Sequence, residues 1–177
     1  PQRWRSVVGM AVPPGPTVGV AFMNNLAQVK RSWYMFFFQH ALSDIVVTAN
    51  DSAFIDMLWE DWSPGFDGSA DIAHVKDCLR DPANLSAALG YYRATLGDAK
   101  HDPALVDIQN ATSQVPTQPT LYLHGVNDGC MGAEVAESTR LFCPTVTTHL
   151  VEDAGHFLQL EQPVVVNKLI IDWITAK

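Results

Sequence analysis

Cationic residues are scarce in this sequence. Eleven Lys and Arg stand against nineteen Asp and Glu, for a formal net charge of −8. No Lys/Arg cluster occurs, which argues against a nucleic-acid partner held through phosphate contacts. Charge of either sign is sparse, 17% of residues against 47% apolar, and that balance excludes intrinsic disorder. Three cysteines, Cys78, Cys130 and Cys143, are too few and too scattered for a disulfide framework; they read as reduced, mostly buried thiols. With no Cys-x-x-Cys pair and no His-rich cluster, neither a metal nor a cofactor is expected. Asn24, Asn25, Gln28, Lys30 and Arg31 interrupt the apolar stretch over residues 18–38, so no uncharged run reaches the roughly 18 residues of a membrane span. No signal peptide follows Pro1. The expectation is a cytoplasmic protein with no membrane partner.

What remains is a chain of 177 residues, enough for about one domain at roughly 150 residues each. Residues 6–12 (SVVGMAV) form a short apolar run closed by Pro13-Pro14-Gly15-Pro16, and read as a buried strand, apolar on both faces. Phe22, Leu26, Val29, Trp33 and Phe36 or Phe37 then recur at helical steps, with no Pro or Gly from Val20 to Phe38, so one long helix is expected. Phe54, Ile55, Leu58, Trp59 and Trp62 share a second helical face. Ile72, Val75, Cys78 and Leu79 mark a third, with Asp71 as its expected N-cap. Asp81-Pro82 supplies an N-cap followed by Pro at the first helical position, ahead of the stripe Leu85, Leu89, Tyr92 and Leu96. Gly97 stands where a C-cap belongs. Strands return at residues 119–124 and 145–151, with helices over 133–142 and 164–174. Strands separated by helices favour a parallel α/β sheet. Three strands make a thin one, below the usual four to six or so.

Two loops leave the C-terminal ends of expected strands, where α/β folds place their sites. One carries Asp128, the other His156. An acid after one strand and a histidine after the next match the order nucleophile, acid, base of the α/β-hydrolases. There Asp128 would hold one ring nitrogen of His156 while the other activates water. Spacing alone leaves plainer readings open. Asp128 also fits a turn between Asn127 and Gly129, and His156 a helix entry or the core.

The whole chain resembles the later part of an α/β-hydrolase, specifically of the epoxide hydrolase group. Pro119-Thr-Leu-Tyr-Leu-His-Gly-Val-Asn-Asp128 is similar to that group's acid loop. Gly155-His156-Phe157 with Glu161-Gln162-Pro163 is similar to its histidine loop and the helix after it. Ser32-Trp-Tyr34-Met-Phe-Phe-Phe-Gln39 and Gly90-Tyr-Tyr92-Arg93 resemble the two cap segments that carry its catalytic tyrosines. The resemblance implies an α/β fold: a core strand within residues 1–16, a helical cap over 17–100, and core strands and helices over 101–177. It implies a small-molecule epoxide as substrate, and Asp128, His156, Tyr34 and Tyr92 as catalytic residues. A carboxylate attacks an epoxide carbon, two phenols protonate the departing oxygen, and His156 activates the water that cleaves the ester. Residue pattern alone leaves both tyrosines open as core aromatics, since Tyr92 shares the face of Leu85, Leu89 and Leu96.

One part of that machinery has no counterpart here. No Gly-x-[Asp/Ser/Cys]-x-Gly elbow occurs. Gly15-Pro-Thr17-Val-Gly19 fails because a β-branched Thr17 resists the strained turn, and Gly125-Val-Asn-Asp-Gly129 centres on Asn127. By resemblance the nucleophilic Asp and the oxyanion donors precede Pro1, in a missing N-terminal half of the same domain, and the chain alone is expected to be inactive. Two other readings stay open. One is a haloalkane or fluoroacetate dehalogenase, with Trp33 as a halide donor; the other is a truncated, non-catalytic binding protein.

Overall fold

A computed structural model describes residues 3–176. Pro1, Gln2 and Lys177, at the outer edges of the expected segments, lie outside the described residues. The sheet has three parallel strands in the order β1 (Val7–Met10), β2 (Thr120–Gly125), β3 (Val146–Val151). Val7 pairs with Thr120, and Thr120 with Val146. β2 is buried along its whole length because it is paired on both edges and covered on both faces. Its period-2 alternation sends Leu121 and Leu123 toward Leu158 and Val166, and Tyr122 toward Ala136, Cys143 and Val146. The first layer is completed by α11 (Pro163–Thr175), through Leu169, Ile170 and Trp173. The second is completed by α9 (Ala133–Phe142).

β1 departs from the expected buried strand. It sits at the sheet edge among the described residues, and Val7 and Met10 are both exposed.

Between β1 and β2 the chain is helical throughout its regular structure. The single long helix expected over 20–38 is instead three: α1 (Thr17–Asn24), α2 (Leu26–Arg31) and α3 (Trp33–Phe37). Asn25 breaks it. Its backbone is extended (φ −128°, ψ 97°), and its side chain accepts the Ala27 and Gln28 N–H groups, capping α2. The altered axes bury Gln28, Ser32, Tyr34 and Phe38, while Leu26, Trp33 and Phe36 of the expected inward stripe face out. Four further helices follow: α4 (Ser43–Val46), α5 (Ala49–Trp62), α6 (Ser69–Leu79) and α7 (Pro82–Leu96). After a 3₁₀ turn at Pro103–Leu105 comes α8 (Val106–Ala111). The short α10 (Leu158–Glu161) leads into α11.

Capping follows the sequence at α7, where Asp81 accepts the Ala83 N–H. It does not at α6, which begins two residues before Asp71, with Gly68 at the cap position and Asp67 accepting the Ser69 N–H. Leu96 and Cys78 are exposed rather than inward. Tyr34, Phe38, Val47, Phe54, Ile55, Leu58, Leu85 and Leu89 form the cap core, which runs on into Cys130, Met131 and Val135. The cap is therefore packed directly onto the loop after β2. No helix among the described residues is long and apolar enough to cross a membrane.

Candidate active site

The site is built where two backbone loops are tied together. The Val126 N–H donates to the Val151 carbonyl and the Asn127 N–H to the Ala154 carbonyl, at 3.0 and 2.8 Å. Gly125 permits this approach, because a Cβ there would run into the Gly155 and Ala154 carbonyls. The cap holds both loops from the other side. The Trp62 carbonyl, at the end of α5, accepts the Gly129 N–H at 3.1 Å and the His156 N–H at 3.0 Å. Glu161 completes the frame: its carboxylate accepts the Gly155 N–H and the Ser63 hydroxyl, both at 2.7 Å. That gives a local reason for the Glu161-Gln162-Pro163 motif.

Within this frame Asp128 is buried. Its Oδ1 accepts the Cys130 and Met131 N–H groups, each at 2.8 Å. Its Oδ2 accepts from His156 Nδ1–H at 2.9 Å. One oxygen thus closes the turn and the other faces the His156 ring. The His156 side chain retains 15% exposure. Burial pulls its pKa down, but the Asp128 hydrogen bond, the adjacent Cys130 thiol and the Asp128 charge outweigh this and push it up to about 10. The ring therefore carries its second proton at neutral pH in this chain. His124, fully buried at the end of β2, is displaced the opposite way: burial lowers its pKa against the pull of Asp128 and the Met131 carbonyl. As a neutral ring it donates Nε2–H to the Met131 carbonyl at 3.0 Å and accepts the Tyr122 hydroxyl at 2.7 Å.

Tyr34 and Tyr92 come together. Their ring centroids are 5.7 Å apart, with Trp62 5.0 Å from Tyr34 and 5.2 Å from the His156 ring. The Tyr34 hydroxyl lies 3.3 Å from Cys130 Sγ. Both phenols have raised pKa values, first through burial and then through the Cys130 thiol, so both keep their protons. Beside Tyr92 an apolar cavity of about 160 Å³ is lined by Phe38, Leu58, Trp59, Trp62 and Leu89. A larger hollow, about 800 Å³, opens between α5 and α6 around Asp56 and Lys76, and none of the four candidate side chains lines it.

Three contributors are invisible in the sequence. Gln28, which reads there as an interruption of an apolar stretch, is fully buried. Its amide donates to the Cys130 carbonyl and the Ser32 hydroxyl at 2.9 Å and accepts the Gly132 N–H at 3.0 Å, so α2 braces the acid loop. Cys130 reads as an inert thiol yet stands between Tyr34 and the dyad. Trp62 acts through its carbonyl, which no side-chain pattern reveals. Trp33, the halide donor of the dehalogenase reading, packs on Phe37 and Phe54 and is 39% exposed.

No family model matches the chain. It is 28% identical over 163 residues to epoxide hydrolase 4 of Homo sapiens, covering 89% of this chain and 43% of that protein. It is 27% identical over 112 residues to the AB hydrolase superfamily protein YfhM of Bacillus subtilis, covering 63% of this chain and 36% of that one. Among solved structures, a Bacillus megaterium epoxide hydrolase in complex with an inhibitor superposes with a TM-score of 0.71 at 18% identity, over 97% of this chain and 61% of that one. A metagenomic epoxide hydrolase of the α/β-hydrolase superfamily gives 0.72 at 18%, over 96% and 59%. The fold is that of an α/β-hydrolase bearing a helical cap. One of these two curated relatives and both of these solved structures are epoxide hydrolases, the group that the motifs resemble. The chain spans less than half the length of the two curated relatives.

Proposed function

We propose that this chain carries the acid, the base and the cap tyrosines of an epoxide hydrolase, with residues 17–100 as the cap and 101–177 as the part bearing the acid and histidine loops. The attacking carboxylate comes from residues outside these 177. The observation that supports this reading is the convergence of two phenols with an Asp–His pair around one thiol, beside an apolar cavity.

The chemistry runs in two steps. The carboxylate forms a C–O bond to one epoxide carbon as the ring C–O bond breaks. Tyr34 and Tyr92 hydrogen-bond the departing oxygen, and one phenol delivers its proton, since an unaided alkoxide is too basic to leave. Neutral His156 then takes a proton from water, and the hydroxide attacks the ester carbonyl. The diol departs, the carboxylate is regenerated, and the His156 proton returns to the tyrosine. Asp128 holds the ring oriented throughout. Because the second step needs the neutral ring, it speeds up as pH rises toward the His156 pKa. The apolar cavity beside Tyr92 suits an apolar substituent on the epoxide.

The test has two arms, both with styrene oxide. Residues 1–177 alone form no more diol than their His156→Ala variant. The protein extended upstream of Pro1 forms diol through an ester intermediate trapped by isotope from labelled water. Turnover by the short chain well above its control would mean another nucleophile. An extended protein that binds but never turns over would favour a non-catalytic binding protein. Halide release from a haloalkane instead of diol formation would favour a dehalogenase.

A further inference from the structure

The fold places beside the dyad a group that the proposed chemistry does not use. Asp128, Cys130 and His156 each offer one donor atom, and these three lie within 4.8 Å of one another. We infer that they form a chelating site for a thiophilic divalent cation of the zinc class. The donor set is the reason. Thiolate, imidazole and carboxylate together suit zinc, whereas calcium and magnesium take oxygen ligands. Zinc bond lengths of about 2.0–2.3 Å put neighbouring tetrahedral ligands roughly 3.2–3.7 Å apart. The Asp128–His156 pair, at 2.9 Å, need only open slightly, and the thiol need move by no more than about one bond length.

Charge favours the same cation. A thiolate and a carboxylate neutralise a dication within the pair of residues, Asp128 and Cys130, that are most buried in the group. Three protein ligands leave a fourth position for water. The binding step releases two protons to solvent, the thiol proton of Cys130 and the second ring proton of His156. It also disables the ring as a base. If Nε2 binds the ion, its lone pair is consumed; if Nδ1 binds, the ring proton is left on Nε2. Either way His156 cannot accept a proton from water. The ion is thus a reversible off-switch. That consequence rests on the proposed function, while the binding itself does not.

The test uses the 177-residue chain and cadmium(II) as the probe, read by its thiolate charge-transfer absorption in the ultraviolet. The expected result is one equivalent bound per chain. The C78S/C143S double variant keeps the band, since Cys78 is exposed and Cys143 packs against Thr17 and Pro14, away from the dyad. C130S loses it. His156→Ala in the double-variant background, with Cys130 in place, binds about tenfold or more weakly, by analogy with the loss of even an outer-shell partner. Far-ultraviolet circular dichroism confirms that each variant is folded. The inference is overturned if C130S retains the band, if the double variant loses it, or if His156→Ala binds as tightly as its parent. A failed turnover assay of the extended protein would leave the titration standing, and a failed titration refutes the site by itself.

Discussion

Replacing Asp128 by Asn is the sharpest perturbation of the site, because it removes a charge and little else. The Asn carbonyl can still accept the Cys130 and Met131 N–H groups that Asp128 Oδ1 accepts at 2.8 Å, so the turn survives. What is lost is the carboxylate facing His156 Nδ1 at 2.9 Å. In the parent chain that partner, together with the Cys130 thiol, overcomes burial and carries the ring from 6.5 up to about 10. Between those values the folded ring holds a proton that the unfolded ring has released. The stability this contributes is complete below 6.5 and is lost as pH rises through about 10. One proton of difference corresponds to a fall of roughly 1.4 kcal/mol per pH unit across that window, with a ceiling on the order of 5 kcal/mol for the whole of it. In Asp128→Asn only the Cys130 thiol still works against burial, so the ring titrates below its value in the parent and the slope spans a narrower window. Urea unfolding of both proteins at unit steps of pH measures it. The difference between the two curves removes the titrating groups that the substitution leaves unchanged. Nuclear magnetic resonance of the His156 ring protons gives the two pKa values directly. Parallel pH dependences, or a parent His156 titrating near 6.5, would refute the reasoning.

In the extended protein, Tyr34→Phe and Tyr92→Phe should each slow epoxide opening by about 10²–10³ with an unchanged unfolding midpoint; single-turnover kinetics decide, and an unaffected double variant would return both rings to the core. Gln28→Leu should leave the Gly132 N–H and the Cys130 carbonyl unpaired, at roughly 1–3 kcal/mol each, measured by urea unfolding. Gly129→Ala should drive a Cβ into the Asp61 carbonyl of α5, destabilising by about 1–3 kcal/mol, whereas Gly9→Ala, with nothing within 4 Å, should not.

Local rules account for a large part of the fold. The two later strands, the helices over α9 and α11, and the Asp81–Pro82 start of α7 are all set by alternation, periodicity and capping within a few residues, and so are legible in the sequence. The same is true of the placing of Asp128 and His156 at strand ends, because parallel strands point their C-terminal ends the same way. Residues 20–38 are different. Their periodicity describes one helix equally well, and only packing selects the break at Asn25 that turns Gln28, Tyr34 and Phe38 inward and Trp33 outward. The partners of the dyad lie further out of reach. Gln28 and Cys130 meet across a separation of 102 residues in sequence, and Tyr34 and Cys130 across 96. The Trp62 carbonyl is a group every residue possesses; which one receives the N–H groups of both loops is decided by where α5 ends in space. Local chemistry thus determined which residues could act, and the long-range packing of the cap on the acid loop decided which of them meet.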